Sequence, residues 1–290
     1  MNMKERIITP QVLEQFAHHL AAEEKSRGTI DKYVRDARSL MIWLAGQSAI
    51  QPAQSITKEA LAAWKSDMLQ SGRAPATINS MIAAINSLLN FMGLQHCRIK
   101  SIRLQKRFFR ADERQLTKPE YEKLLKTAHK NGKSSTALLM ETICATGIRV
   151  SEIRYITLEA ARQGRTQIFL KGKHRVILLP GKLCKKLRQY AAKQGITTGS
   201  IFLSKSGRPL DRRQIWAQMK SLCKATGVSA RKVFPHNLRH LFARAFYASS
   251  HDIVSLADVL GHSSVETTRI YLVTTETEHV KQIAHLDLVL

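Results

Sequence analysis

A chain of 290 residues that is 44% hydrophobic can bury one large core or two of ordinary size, and its composition is not that of a disordered chain. Its 46 Lys and Arg against 22 Asp and Glu give a formal net charge of +24 and a pI near 10.3, a field that suits a polyanion and nucleic acid above all. A membrane-surface or ribosome-associated protein could be as basic, so charge sets a class and not a function.

Cys97, Cys144, Cys184 and Cys223 are widely spaced, which argues against disulfides and zinc and for a reducing cytosol. No secretory signal opens the chain and no apolar run approaches the ~20 residues that span a bilayer. The expectation is a cytoplasmic protein without membrane contact.

Residues 10–94 have a wholly helical pattern. Val12, Phe16 and Leu20 mark one stripe; Tyr33, Ala37, Leu40, Met41 and Leu44 mark a second. Thr57 caps a third helix through Leu61, Trp64 and Leu69, closed by Gly72. Thr77 opens a fourth, with Ile78, Met81, Ile82, Ile85, Leu88 and Leu89 apolar, ending at Gly93. Four such helices make a bundle that stands alone, and residues 1–97 are assigned to it.

The composition then changes. Arg98, Lys100, Arg103, Lys106, Arg107 and Arg110 fall between Cys97 and Ala111 with no acidic residue, and a basic linker suited to following a phosphate backbone is assigned to 98–116. Thr117-Lys118-Pro119-Glu120 is a capping box that starts a second domain, 117–290. Helix resumes over 136–145 and stops at Gly147; 166–170 and 175–179 are β-prone runs around a Lys171-Gly172-Lys173-His174 turn, a hairpin; after Gly181 the pattern is helical almost to the end. The fold expected is mainly α, a four-helix domain followed by a mostly helical one with a small β-sheet.

Pro235 opens a helix whose Leu238, Leu241, Phe242, Ala245 and Phe246 form an apolar stripe. His236, Arg239 and His240 share another face at its positive N-terminal end, which suits an anion. A zinc-protease reading lacks the glutamate between the histidines, and Arg239 would repel a cation, so no metal is expected. Ile253, Leu256, Ala257 and Leu260 form the next stripe, stopped by Gly261; His262 falls in the turn, and Ser263-Ser264-Val265-Glu266 is a capping box for a helix carrying Arg269 and Tyr271. Arginines clamp non-bridging phosphate oxygens, histidines hydrogen-bond them or move protons, and a tyrosine can attack phosphorus.

Taken with Ala145-Thr146-Gly147-Ile148-Arg149-Val150-Ser151-Glu152, these blocks resemble the tyrosine recombinase (phage integrase) family, in its Xer-like two-domain form. The resemblance implies a helical core-binding, SAM-like domain, a basic linker and a catalytic domain, with no domain ahead of residue 10. It makes Arg149, His236, Arg239 and His262 catalytic, Tyr271 the nucleophile and Glu152 a supporting carboxylate. The hairpin general acid is Lys171, with Lys173 as a rival. It implies attack on DNA to give a 3′-phosphotyrosine and a free 5′-hydroxyl, needing neither cofactor nor metal nor nucleotide.

The resemblance also implies double-stranded DNA at a recombination site as partner, and a homotetramer on it joined by exchange of the C-terminal helix. Accessory proteins and a nucleoid association belong to the same expectation. The integrase of a mobile element is the leading reading and an Xer-type dimer resolvase the alternative. Behind them stand a type IB-like topoisomerase and a non-catalytic helix-turn-helix binder of residues 252–272, whose second helix offers a groove only Arg269. From His251 onward, two basic residues (Arg269 and Lys281) face six acidic ones, so this segment is expected to turn away from the polyanion.

Overall fold

The computed structural model describes residues 7–46, 55–103, 114–170, 173–262, 264–269 and 271. The chain divides into two compact units, Met1–Lys106 and Arg107–Leu290.

In the first unit, helices α1 (Pro10–Ala22), α2 (Arg27–Gly46), α3 (Lys58–Gln70) and α4 (Pro75–Phe91) bury their apolar faces in one core. Thr9 and Thr57 cap α1 and α3 by accepting from the backbone N–H groups of Val12 and Ala60. The α1 stripe runs through Leu13, Phe16 and Leu20, with Val12 half-buried beside it. In α3 it is Met68 and not Leu69 that enters the core, and Leu69 is left exposed. Seven residues at 100° each return almost to the direction of Leu61, whereas the eighth swings away. Helix α4 begins at Pro75, two residues before Thr77, because proline's fixed φ and missing N–H suit the first helical position.

The linker expected from residue 98 begins as part of this unit. Two asparagines of α4 grip its backbone: Asn86 donates to the Ile99 carbonyl (3.0 Å) and accepts from its N–H (3.2 Å). Asn79 does the same at Ile102 (2.9 and 2.7 Å). Ile99 is buried and Ile102 half-buried, while Arg98, Lys100 and Arg103 are exposed. Lys106, Arg107 and Arg110 lie outside the described residues.

The second unit is built on α6 (Ser134–Thr146), which buries residues around most of its circumference. Against it pack α5 (Lys118–Lys130), α8 (Gly181–Lys193), α9 (Arg212–Lys220) and α11 (Pro235–Ser250), while α7 (Leu158–Gln163) packs on α8 and α10 (Cys223–Thr226) on α5. Strands β1 (Arg165–Leu170) and β2 (Lys173–Leu178) pair antiparallel, with Ile168 opposite Arg175. Helices α12 (Ile253–Leu260) and α13 (Val265–Arg269) follow. The capping box at Thr117 and Glu120 forms as expected, and Gly147 ends α6 in the left-handed region, φ +61°.

Two expectations are corrected here. The stripe of α11 is incomplete: Leu238 is buried, Leu241, Phe242 and Phe246 are half-buried, and Ala245 is exposed. The deepest residues of that helix include Asn237, Arg239 and His240, so part of its polar face is its buried face. Tyr271 is not carried on a helix: α13 ends at Arg269, and Tyr271 sits in the turn after it, its N–H donating to the Thr268 carbonyl. The cap of α13 involves Ser264, whose hydroxyl accepts from the Glu266 N–H; Ser263 lies outside the described residues. Among the described residues no helix is long and apolar enough to cross a membrane.

Candidate active site

The left-handed turn at Gly147 releases the chain into an extended residue, Arg149, which caps a 3-10 turn over Val150–Tyr155. Glu152, within that turn, is 1% exposed and reaches back. It accepts from the Arg149 backbone N–H (2.8 Å) and from Arg149 Nη1 (3.0 Å). Arg149 Nη2 donates to the Gly261 carbonyl (3.2 Å), yet its side chain stays 42% exposed. The arginine is therefore braced on one edge and open on the other, which is the posture of an anion clamp.

Arg239 comes from the first turns of α11 and is 1% exposed. Its Nη1 donates to the Gly147 carbonyl and its Nη2 to the Leu260 carbonyl at 2.9 Å. Nη2 also lies 2.9 Å from His262 Nε2, and Nε donates to the Tyr271 hydroxyl at 3.3 Å. Burial pushes this guanidinium down to about 10, Arg149 and Arg175 push the same way, and the Tyr271 contact opposes. At neutral pH it is still a cation.

His262 stands in the turn after α12, its backbone N–H bonded to the Ala257 carbonyl. Its Nδ1 lies 2.8 Å from Thr268 Oγ1 on α13. Burial first, and then the charges of Arg239, Arg149 and Arg175, hold it down to about 4. The Tyr271 ring, 7% exposed, stacks on His262 at 5.4 Å between centroids. It meets His240 at 4.3 Å and His236 edge-on at 5.5 Å. His236 itself is exposed at the start of α11 and His240 is buried. The phenol is thus enclosed by three imidazoles and a guanidinium.

The structure brings Arg149, Glu152, His236, Arg239, His262 and Tyr271 together from three separate stretches of the chain. It leaves the hairpin lysine undecided: Lys171 lies outside the described residues, and of Lys173 only the backbone is described, paired with Leu170.

Arg175 was missed by the sequence reading. From β2 it donates through Nη1 to Glu152 (2.6 Å) and through Nη2 to the Val259 carbonyl (2.8 Å). Strand alternation contained the signal, since Arg175 shares its side with the buried Ile177 and Leu179. An arginine on the inward face of a hairpin needs a buried partner. With it, two guanidiniums share the Glu152 carboxylate and Arg239 adds a third cation through the turn at 260–262, an excess of positive charge that suits a phosphate.

Comparison with known proteins bears on what such a site is for. The profile described as "Phage integrase family" matches residues 114–278, over half of the chain. The chain belongs to the phage integrase family of tyrosine recombinases. A second profile, "Phage integrase, N-terminal SAM-like domain", matches residues 13–96. This family member is 28% identical to tyrosine recombinase XerD of Halalkalibacterium halodurans, over 94% of its own length and 96% of that protein's. It is 26% identical to tyrosine recombinase XerA of Pyrococcus furiosus, over 97% and 95%. In fold it is similar to XerH site-specific recombinase bound to a palindromic difH substrate, with a TM-score of 0.69 at 21% identity over 88% of this chain and 78% of that one. A lambda integrase dimer bound to a core site gives 0.69 at 18% identity, over 91% and 94%.

Proposed function

We propose that this chain cuts and rejoins DNA strands at a recombination site through a covalent 3′-phosphotyrosine on Tyr271. The observation that carries the reading is the contact of Arg239 with both His262 and Tyr271 beside the open edge of Arg149. Those four groups are what phosphoryl transfer to a tyrosine requires: two cations for the transition-state charge, a hydrogen-bonding imidazole and an oxygen nucleophile.

In the proposed reaction the scissile phosphate lies against Arg149 and Arg239, and Glu152 holds the first of these in place. The Tyr271 oxygen attacks phosphorus and gives up its proton, for which the imidazoles beside the ring, His236 and His240, are the local acceptors. The 5′-oxygen leaves with a proton from the hairpin lysine, Lys171 or Lys173. A 5′-hydroxyl from the partner strand then attacks the phosphotyrosine and returns its proton to the lysine, while the Tyr271 oxygen leaves and takes back the proton held by the imidazole. The bond energy stays in the covalent link, so the cycle is balanced without nucleotide or metal.

In this reading residues 1–97 are the core-binding domain and 117–290 the catalytic domain. Contact of the linker with the DNA backbone is supported by Arg98, Lys100 and Arg103, which project from a segment whose isoleucines are tucked inward. The working assembly proposed is a homotetramer on two DNA sites. Its inter-protomer link is the C-terminal segment 277–290, which lies outside the described residues and is rich in apolar side chains.

The biological role proposed is integration of a mobile element. An Xer-type resolvase is the second reading, favoured by the end-to-end match to XerD and XerA proteins. The test of the chemistry is a nicked half-site substrate that traps the covalent adduct. Adduct from the wild type and none from Tyr271→Phe is expected, with strand-exchanged product separating a recombinase from a topoisomerase. Adduct from the Phe variant would overturn the assignment.

A further inference from the structure

Arg175 occupies a junction that the reaction as described does not use. Its guanidinium joins three segments: β2, which carries it, the 3-10 turn through Glu152, and the end of α12 through the Val259 carbonyl. It is 9% exposed, and its Nε has no partner among the described residues. A buried arginine with an unsatisfied nitrogen is an expensive way to fasten a hairpin, and an apolar residue would do that more cheaply. The site therefore needs its charge or its reach.

The Leu260-Gly261-His262 turn is shaped around it. A Cβ at Gly261 would meet Arg175 Cδ at 2.4 Å and Nε at 2.6 Å, and Gly261 also holds φ +64°. The Gly261 carbonyl meanwhile accepts from Arg149, and the next residue, His262, touches Arg239. One backbone turn thus touches all three arginines.

The charges explain why the third is present. Glu152 divides itself, Oε1 to Arg149 Nη1 and Oε2 to Arg175 Nη1 and the Arg149 backbone. The trio carries one net positive charge. Without Arg175, a deeply buried carboxylate would have only Arg149 as an ionic partner, and the pair would be neutral. An arginine neutralised by a buried carboxylate stabilises an incoming phosphate far less than one that shares the carboxylate.

We propose that Arg175 is a positioning residue of the recombination reaction, which takes up half of Glu152 so that Arg149 presents uncompensated charge to the scissile phosphate. It acts through Arg149 and does not touch DNA, and the assignment rests on the reading of Arg149 and Tyr271 given above. It also ties the strand leaving the hairpin turn to the phosphate clamp.

The experiment compares wild type, Arg175→Gln and Arg175→Lys on two nicked half-sites, one with an ordinary scissile phosphodiester and one with a neutral methylphosphonate there. Gln keeps hydrogen bonding without charge, and Lys keeps charge. On the phosphodiester, Arg175→Gln is expected to slow adduct formation about 30-fold, less than the ~100- to 1000-fold of deleting a direct donor. Half-site affinity should change less than about 3-fold, since backbone contacts elsewhere set it. On the methylphosphonate the Gln penalty should shrink to below about 3-fold, because there is less charge to stabilise. Lys should stay within about 5-fold of wild type on both substrates, since it keeps the charge facing Glu152 and gives up only the bond to the Val259 carbonyl.

A Gln penalty equal on the two substrates, or none, overturns the proposal. If Arg175→Gln loses its cooperative melt, Lys decides alone. A Lys enzyme near wild type on both substrates supports the charge role, and one slowed equally on both overturns it. Should the wild type form no adduct, or Tyr271→Phe form one, the parent reading fails instead, and the two failures are distinct.

Discussion

Nη2 of Arg239 lies 2.9 Å from Nε2 of His262, and this contact fixes the state of the imidazole. A guanidinium has donors only, so Nε2 accepts and the ring proton sits on Nδ1, which donates to Thr268 Oγ1 at 2.8 Å. His262 is therefore neutral in this arrangement. A phosphate that draws Arg239 toward itself loosens the hold on Nε2 and adds negative charge, and both changes ease protonation of the ring.

A pH dependence follows from that neutrality. The folded His262 resists protonation until about 4, whereas an ordinary histidine takes up its proton near 6.5. Between those values the unfolded chain binds the proton that the folded chain refuses, so stability falls as pH drops through the window. His262→Gln keeps an acceptor for Arg239 and does not titrate. Melting temperatures from about pH 7.5 down to about 4.5 should fall more steeply for the wild type than for the Gln variant. Parallel curves would show that His262 contributes nothing to acid lability.

The two clamp arginines should separate in stability while agreeing in catalysis. Arg149→Ala and Arg239→Ala should each slow cleavage by more than ~100-fold, as expected for loss of a donor to the transition state. His262→Ala should cost less, since a neutral imidazole offers the phosphate one hydrogen bond where each guanidinium offers a full charge. Arg239 also satisfies the buried carbonyls of Gly147 and Leu260, and leaving those unpaired costs about 1–3 kcal/mol each. Calorimetry should show a larger drop in melting temperature for Arg239→Ala than for Arg149→Ala, whose side chain is half in solvent and whose loss leaves Glu152 still paired with Arg175. A full-rate Arg149→Ala enzyme would remove that residue from the site.

How far the sequence foretold this arrangement depended on whether the signal was local. The caps at Thr57 and Thr117 and the stop at Gly147 are written in neighbouring residues and formed where expected. The hairpin formed too, but with a tighter turn, since Lys173 and His174, expected in the turn, pair with Leu170 and Phe169 in the ladder. The fourth helix began early because proline is the stronger opening signal than the threonine behind it. The depth of Arg239 and His240 was not legible, because burial of polar groups is decided by carbonyls and rings that arrive from α6, α12 and the turn at Tyr271. Arg175 was hidden for the same reason, its partners being Glu152 and Val259. Periodicity shows which face is apolar. It does not show where several elements bring charge together.

The linker should register in the salt dependence of binding. Each phosphate that a cation neutralises contributes a slope of about −0.9 in log K against log salt. Reversing the charge of Lys106 and Arg107 should lower the slope and weaken all DNA sequences alike. An unchanged slope in a salt titration would take those two residues out of the interface.

Deleting residues 277–290 separates assembly from folding. The segment carries Val280, Ile283, Ala284, Leu286, Leu288, Val289 and Leu290, too apolar to remain in water. If it docks on a neighbouring protomer, the truncated protein binds a half-site and melts normally but loses cooperative assembly and strand exchange. If it packs on its own domain, the melting temperature falls in the absence of DNA. Native cooperativity with loss of fold would rule out the docking role.

Gly147→Ala tests whether the site depends on the turn that ends α6. The residue holds φ +61°, where an L side chain is disfavoured by about 1–2 kcal/mol. A Cβ there would also meet Phe242 Cδ1 at 2.4 Å, its Cε1 at 2.6 Å and Leu260 Cδ2 at 2.9 Å, so α11 and α12 would both have to give way. Those two helices supply Arg239 and the Leu260 carbonyl that binds it, and Gly147 supplies the other carbonyl. Gly147→Ala should lower the melting temperature and slow adduct formation far more than it weakens DNA binding, because the charges that bind DNA are untouched. Adding Phe242→Leu relieves the overlap but not the backbone strain, so the double variant should recover part of the stability and part of the rate together. Recovery of stability without any recovery of rate would mean that the position of Arg239 does not depend on this turn.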